Sequence, residues 1–343
     1  MNILLSGCFA PGTSGTVLGI RESSRYKKSN IFGVDQFLRV NSLPDFERII
    51  ELNESNEDYY IEGLVKILYD FKVDILLPQT TRETLLLSKY YEFVSNFCKI
   101  PLASTFDGLV KANDKFLLLQ HSNLSSSNKL ELIPFEDENS GRIFLENAIQ
   151  NNKNVFLKSR NSSGGRGIVK VVSDVDKFEV FSEKTKSFHV ASYTEILEIW
   201  DSRDTRFLDY FLMDEFVGEE YTVDVFIGKS NKIVIPRKRL SIRSGISEVN
   251  YIDRNEIIIK RALDLAESLN LKNLFGFQFL WNGSGEPFLL ECNPRIQGTN
   301  MASVLAGTNV IEYLISEAFN LKYEVVEPKW ESTFFRSSRG FIL

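Results

Sequence analysis

The segment LLECNPRIQG, residues 289–298, sets a carboxylate, an amide and a guanidinium at two-residue intervals as Glu291, Asn293 and Arg295. Alternate side chains of a strand share a face, so Glu291 and Asn293 point the same way, with Phe288, Leu290 and Cys292 expected on the apolar side. Upstream, FGFQFLW and EPFLLECN flank NGSG, a turn sequence of the kind that joins hairpin strands, and such a hairpin sets Gln278 opposite Glu291. One carboxylate and two amide oxygens are hard-ligand chemistry, suited to Mg²⁺ that also holds substrate phosphates. Arg295, just past the strand, could stabilise charge on a transferring phosphoryl group. The plain alternative is a solvated sheet face closed by an Asn-Pro turn.

Two glycine-bearing turns invite a phosphate reading. In SRNSSGGRG, residues 159–167, Gly164, Gly165 and Gly167 lie between two β runs, with Lys158 ending the first run and Ser163 and Arg166 in the loop. Residues without Cβ let backbone N–H groups close on phosphate oxygens, although glycine and serine are equally ordinary in a hairpin tip. Gly7, Gly12 and Gly15 follow the first strand, and Asp35 ends the second where a ribose-binding acid would stand. Their spacing matches neither the dinucleotide fingerprint nor a Walker loop. A tight strand-to-helix turn explains them, and a helix N-terminus that receives an anionic group of a substrate stays open.

These groups need a scaffold. The chain has 343 residues, enough for two or three lobes, with 43% hydrophobic and 25% charged residues, an ordinary globular composition. A net charge of -6 argues against a nucleic-acid surface. Cys8, Cys98 and Cys292 show no metal spacing and read as reduced thiols, so the expectation is a cytoplasmic protein. His121 and His189 are too few and too far apart for a zinc cluster or a catalytic triad. MNILLSG reads as a first strand, not a signal peptide, and no run of 18 apolar residues predicts a membrane span.

NILLSG, NIFGVD, VDILLPQT and CKIPLAS read as strands alternating with helices, among them TRETLLLSKYYEFV, which implies a parallel sheet covered on both faces. FDGLVKANDKFLLLQHSN reads as one helix, and residues 151–174 as a hairpin. Further strands, the helix NEIIIKRALDLAESLN, the hairpin described above and a last helix follow. The tail from about residue 322 is hard to place.

The order KSRNSSGGRGIVKV, DEFVGEEYTVDVF, PRKRLSIRSG, LLECNPRIQG resembles the ATP-grasp superfamily, in particular single modules of carbamoyl-phosphate synthase large subunits and stand-alone carboxylate–amine ligases. The likeness runs over about residues 1–320. It implies an α/β N-terminal lobe with a parallel sheet (pre-ATP-grasp type, 1–110), then an α+β ATP-grasp module of two subdomains (111–210 with the flap 159–167, and 211–320), then a tail (321–343). It assigns Lys115, Lys158, Ser163, Gly164, Gly165 and Gly167 to the phosphates, Glu215 and Val217 to adenine, and Glu220 to ribose, with Glu219 a substitute. Gln278, Glu291 and Asn293 would be the metal ligands, with Arg295 and Arg243 beside the reacting phosphate. Many such ligases carry an acid where this chain has Gln278; the carbamoyl-phosphate synthase-like group has an amide.

The resemblance implies ATP with Mg²⁺, or Mn²⁺, and an activity that joins a small-molecule carboxylate to an amine, with Arg237, Arg239 and Arg243 as carboxylate anchors. No nucleic acid or membrane partner is expected, and a homodimer is allowed for. The chain is too short to make carbamoyl phosphate as a whole synthase does. The alternatives are a small-molecule kinase on the same fold and a non-catalytic ATP-binding regulator.

Overall fold

The structure is a computed structural model and describes residues 1–40, 43–53, 56–126, 130–162, 167–173, 189–243 and 245–337. The first lobe runs β1 (Asn2–Ser6), α1 (Thr13–Glu22), β2 (Asn30–Asp35), β3 (Arg48–Glu51), α2 (Glu57–Asp70), β4 (Ile75–Pro78), α3 (Thr81–Lys89) and α4 (Tyr91–Val94). Its strands form a parallel sheet in the order β3-β2-β1-β4. Ile3, Leu4, Leu5, Ile75, Leu76 and Leu77 are fully buried, as a sheet covered on both faces requires. Arg48–Glu51 is a strand that the apolar pattern did not disclose, while CKIPLAS contributes only a bridge between Ile75 and Lys99.

The expected single helix over FDGLVKANDKFLLLQHSN is two helices, α5 (Phe106–Asn113) and α6 (Lys115–Ser125). They break at Asp114, whose extended backbone and carboxylate, accepting from Leu117 N, cap α6. TRETLLLSKYYEFV breaks likewise at Tyr90.

Next come β5 (Leu132–Pro134), α7 (Glu138–Gln150), β6 (Val155–Ser159), β7 (Ile168–Val172), β8 (His189–Ser192), α8 (Tyr193–Ser202) and β9 (Tyr210–Asp214). They build a five-stranded sheet, β5-β9-β6-β7-β8, in which β6 and β7 are the expected antiparallel hairpin. Phe135, Phe144, Leu157 and Trp200 form its core, with Phe135 stacked on Trp200 at 4.7 Å between ring centroids.

The remainder is β10 (Glu219–Ile227), β11 (Lys232–Arg243), β12 (Ile246–Ile252), α9 (Glu256–Ser268), β13 (Asn273–Trp281), β14 (Phe288–Asn293), α10 (Met301–Leu305), α11 (Val310–Ala318) and β15 (Ser332–Phe335). The six-stranded sheet runs β14-β13-β10-β11-β12-β15, so part of the tail is an edge strand paired with β12. One face carries Tyr221, Val223, Phe275, Phe277, Phe279 and Leu289 into a core shared with α5, α6 and α9. A second core joins Ile3, Val17 and Ile20 of the first lobe to Ile296, Val304, Ile311 and Leu314. Among the described residues no helix is long and apolar enough to cross a membrane.

Candidate active site

The other face of the six-stranded sheet is polar where β10, β11, β13 and β14 meet. Thr222 pairs with both Arg237 and Gln278, Gln278 pairs with Glu291, and Gly276 pairs with Asp224 and Asn293. Directly opposed residues share a face, so Glu220, Thr222, Asp224, Gln278, Glu291 and Asn293 stand together. The predicted pairing of Gln278 with Glu291 holds. Beyond it the register shifts at a β-bulge, so Phe279 pairs with Leu289 and Leu290 is the extra residue. The apolar side of β14 is therefore built by Leu289 and Cys292, both buried, and not by Leu290 as strict alternation predicted.

Asn293 Nδ2 donates to Glu291 Oε1 at 3.2 Å. Facing this pair is Lys115, the first residue of α6, whose Nζ lies 3.8 Å from Glu291 Oε2 and also donates to Ser162 O. The cap at Asp114 fixes this placement. Asp114 is gripped by Arg160 at 2.6 and 2.9 Å, which ties the start of α6 to the end of β6.

Lys158, on β6, is 6% exposed and has no hydrogen bond or ion pair among the described residues. Its ammonium is pushed down to about 8, by burial first and then by Lys115, with Glu291 and Glu220 opposing. Burial raises the Glu220 carboxyl, and the Arg239 guanidinium opposes this. Two lysines and two glutamates from both larger sheets and α6 thus converge on one partly dry patch.

The arginines divide. Arg239 donates to Glu220 and, at 3.3 Å, to Gln278 Oε1, so it belongs to the cluster. Arg295 spends three of its five N–H groups on the protein: its Nε donates to Thr81 Oγ1 at 3.2 Å, Nη2 to Asn293 Oδ1 at 3.2 Å and Nη1 to Ile296 O at 2.8 Å. Arg237 is no substrate anchor, because it is fully buried against Asp224 at 2.8 Å and donates to Thr299 and Ser303. Arg243 is not brought to the cluster. Its side chain is 81% exposed and 3.7 Å from Glu248, since register shifts after Arg239 reset the alternation of β11.

Glu215 and Val217 lie in the link between β9 and β10. Burial raises the Glu215 carboxyl, but its bonds to Lys170 at 2.7 Å and Asn154 at 2.9 Å leave it below the usual range. Val217 is exposed, and neighbouring Phe216 stacks on Phe288. Of the expected flap, Gly167 has φ +69° and accepts from Ser159 N at 2.8 Å, closing the hairpin base. Ser163, Gly164 and Gly165 lie outside the described residues.

Gly12 and Gly15 do not face an open anion cradle. A Cβ on Gly12 would stand 3.0 Å from Gln297 O, and one on Gly15 2.0 Å from Asn300 Oδ1. Close approach of the 297–301 loop is what these positions need. Sequence reasoning missed Glu83, which three residues after Thr80 reads as helix capping; Thr80 indeed caps α3.

As to metal, the donor set fits a hard divalent cation. Gln278, Glu291 and Asn293 offer oxygens on adjacent strands, and among the described residues no group of three or more His, Cys, Asp or Glu forms a complete cage. Such a set suits an ion that shares its remaining positions with water and phosphate oxygens.

The family model described as ATP-grasp in the biosynthetic pathway with Ter operon matches residues 206–336, which carry the six-stranded sheet with Glu220, Gln278, Glu291 and Asn293 but not Lys115 or Lys158. An ADP complex of PurK, an N5-carboxyaminoimidazole ribonucleotide synthetase, is 15% identical with a TM-score of 0.64, covering 97% of this chain and 79% of that one. The biotin carboxylase domain of a Hydrogenobacter thermophilus 2-oxoglutarate carboxylase, solved with MgADP and bicarbonate, is 13% identical with a TM-score of 0.66, covering 97% and 72%. An L-amino acid ligase from Bacillus licheniformis is 13% identical with a TM-score of 0.62, covering 92% and 74%. Comparison with curated protein sequences finds no match. At these identities the structural likenesses establish the fold.

Proposed function

We propose that this chain, an ATP-grasp protein by fold, is an ATP- and Mg²⁺-dependent ligase that activates a small-molecule carboxylate as an acyl phosphate and passes it to an amine. The observation that carries this reading is Lys158, a buried ammonium that lies over the Phe156 ring at 5.5 Å and has no hydrogen bond or ion pair among the described residues, beside Lys115 and facing Glu220 and Glu291. A buried cation without an ion pair is costly, and a polyphosphate is a partner that Lys158 and the neighbouring Lys115 together fit.

In this reading Lys115 and Lys158 hold the phosphates, Glu220 takes the ribose hydroxyls, and the 215–217 link borders adenine. Gln278, Glu291 and Asn293 would hold magnesium, which when bound draws phosphate oxygens together and neutralises their charge. Arg239 and Arg295 orient the reacting carboxylate and the γ-phosphate. The carboxylate oxygen attacks phosphorus as the bond to ADP breaks, and the amine nitrogen then attacks the acyl carbon, losing a proton and expelling phosphate. No side-chain nucleophile is required; positioning and charge carry both steps. The divisions at 110, 210 and 320 are functional units in this scheme, with nucleotide chemistry in 111–320 and acceptor selection aided by 1–110.

The test is phosphate release with Mg-ATP across a panel of small acids and amines. A ligase releases phosphate only when acid and amine are both present. A kinase makes ADP with a single acceptor, and a regulator turns over neither; either result would replace this reading.

A further inference from the structure

Outside the phosphate patch, the first lobe holds a cavity of about 190 Å³ lined by Gly7, Asp35, Gln36, Tyr60, Thr80, Arg82, Glu83 and Leu86. It opens where β1, β2 and β4 end, beside the point at which strand order reverses, the usual crevice for ligands of a parallel sheet. Gly7 keeps the space clear: its φ is +68°, and a Cβ there would stand 2.5 Å from Glu83 Oε2.

The lining is rich in acceptors and lacks a committed cation. Asp35 is oriented by two backbone donors, Phe9 N at 2.9 Å and Gln36 N at 2.8 Å. Glu83 accepts from Thr80 Oγ1. Arg82 donates to Gln36 at 2.8 Å and makes no ion pair with either carboxylate among the described residues. Tyr60 is 8% exposed, lines the cavity, and its hydroxyl has no hydrogen-bond partner among the described residues.

We propose that this cavity binds the ammonium group of a small aminated substrate, held by Asp35, Glu83 and the Tyr60 hydroxyl. Its identification as a substrate site rests on the ligase reading above; the binding itself does not. An ammonium offers three donors and one positive charge to carboxylates that make no ion pair among the described residues. The volume lies below that of a drug-sized pocket, so it admits a molecule of a few heavy atoms or one arm of a larger one. Thr81, at the start of α3 between Thr80 and Glu83, accepts from Arg295, which links this wall to the phosphate patch.

Titration adds a signature. The Glu83 carboxyl is raised to about 7, chiefly by burial and also by Asp35, with the Thr80 bond and Arg82 opposing; Tyr60 and Cys8 are the other titratable groups that face it. An incoming ammonium favours the carboxylate, so binding near pH 6.5 releases a proton.

The experiment is isothermal titration of the full chain, without nucleotide, with putrescine and L-alanine and with their hydroxyl counterparts 1,4-butanediol and L-lactate. At least one amine is expected to bind about 10-fold or more tighter than its counterpart, a difference of about 1.4 kcal/mol. Measured in buffers of different ionisation enthalpy, the heat should report proton release. Glu83→Gln and Asp35→Asn should each weaken the amine about 10-fold while Mg-ATP affinity is retained. Should Glu83→Gln lose its melting transition, Tyr60→Phe carries the test through a smaller loss. Equal binding of the hydroxyl counterpart, unchanged affinity in the variants, or no amine bound would overturn the proposal. Amine binding without any nucleotide binding would instead overturn the ligase reading and leave this site standing.

Discussion

Lys115 Nζ lies 3.8 Å from Glu291 Oε2, so the first residue of α6 and the middle of β14 close on one patch from opposite sides. Glu291→Gln keeps the shape and removes the charge that both the lysine and a divalent cation would use. The expected outcome is a loss in kcat on the order of 100-fold with folding unchanged, measured as phosphate release beside a melting curve.

Lys158 gives a pH dependence with a definite sign. Its folded pKa of about 8 stands below the free value of 10.5. Phosphate favours the protonated form, so nucleotide affinity should fall as pH rises above about 8, approaching tenfold per unit. Lys158→Met should bind weakly and without that slope. Stability moves the other way: between about 8 and 10.5 the unfolded chain binds more protons than the folded one, so the folded state gains as pH rises through that window. Nucleotide titrations and denaturation midpoints at pH 7.5 and about 9.5 separate the two effects.

The Arg237–Asp224 pair predicts a stability defect. Removing one partner of a buried ion pair leaves the other uncompensated, so Arg237→Ala should cost about 3–5 kcal/mol in urea denaturation. Arg243→Ala, at an exposed site, should stay within about 0.5 kcal/mol. Similar losses at the two sites would contradict this placement of β11.

Gly276 is where the 294–300 loop touches the sheet. A Cβ there would fall 1.4 Å from Gln297 Nε2, which donates to Val223 O at 3.1 Å while Gln297 Oε1 accepts from Thr222 at 2.6 Å. Gly276→Ala should displace Gln297 and cost about 1–3 kcal/mol. Because Arg295 lies in the same loop, activity should fall further than stability alone explains; a variant with full turnover would show the contact to be dispensable.

The site was legible in sequence where alternation and turn chemistry act over a few residues. Gln278 against Glu291 follows from a short turn and a period of two. The same reasoning misassigned Leu290, because a bulge depends on how the strand meets its neighbour and leaves no local composition signal. The break at Asp114 was missed since apolar spacing runs through it, although an aspartate capping a new helix is a readable cue. Arg237 and Arg239 look alike in PRKRL. What separates them is the loop and helix that cover Arg237, a contact made by residues 299–303.

The core shared by the first lobe and α10 and α11 decides where the chain can be cut. Ile3, Val17 and Ile20 lie in one apolar mass with Ile296, Val304, Ile311 and Leu314, and the glycines of α1 and its preceding turn admit the 297–301 loop and α11. A polypeptide beginning near residue 111 would bare that surface to water and lose the anchorage of Arg295 on Thr81. The part of the chain after the first lobe is therefore not an independent unit that could be grafted onto another first lobe. Any exchange of residues within the first lobe would have to leave this buried seam fixed.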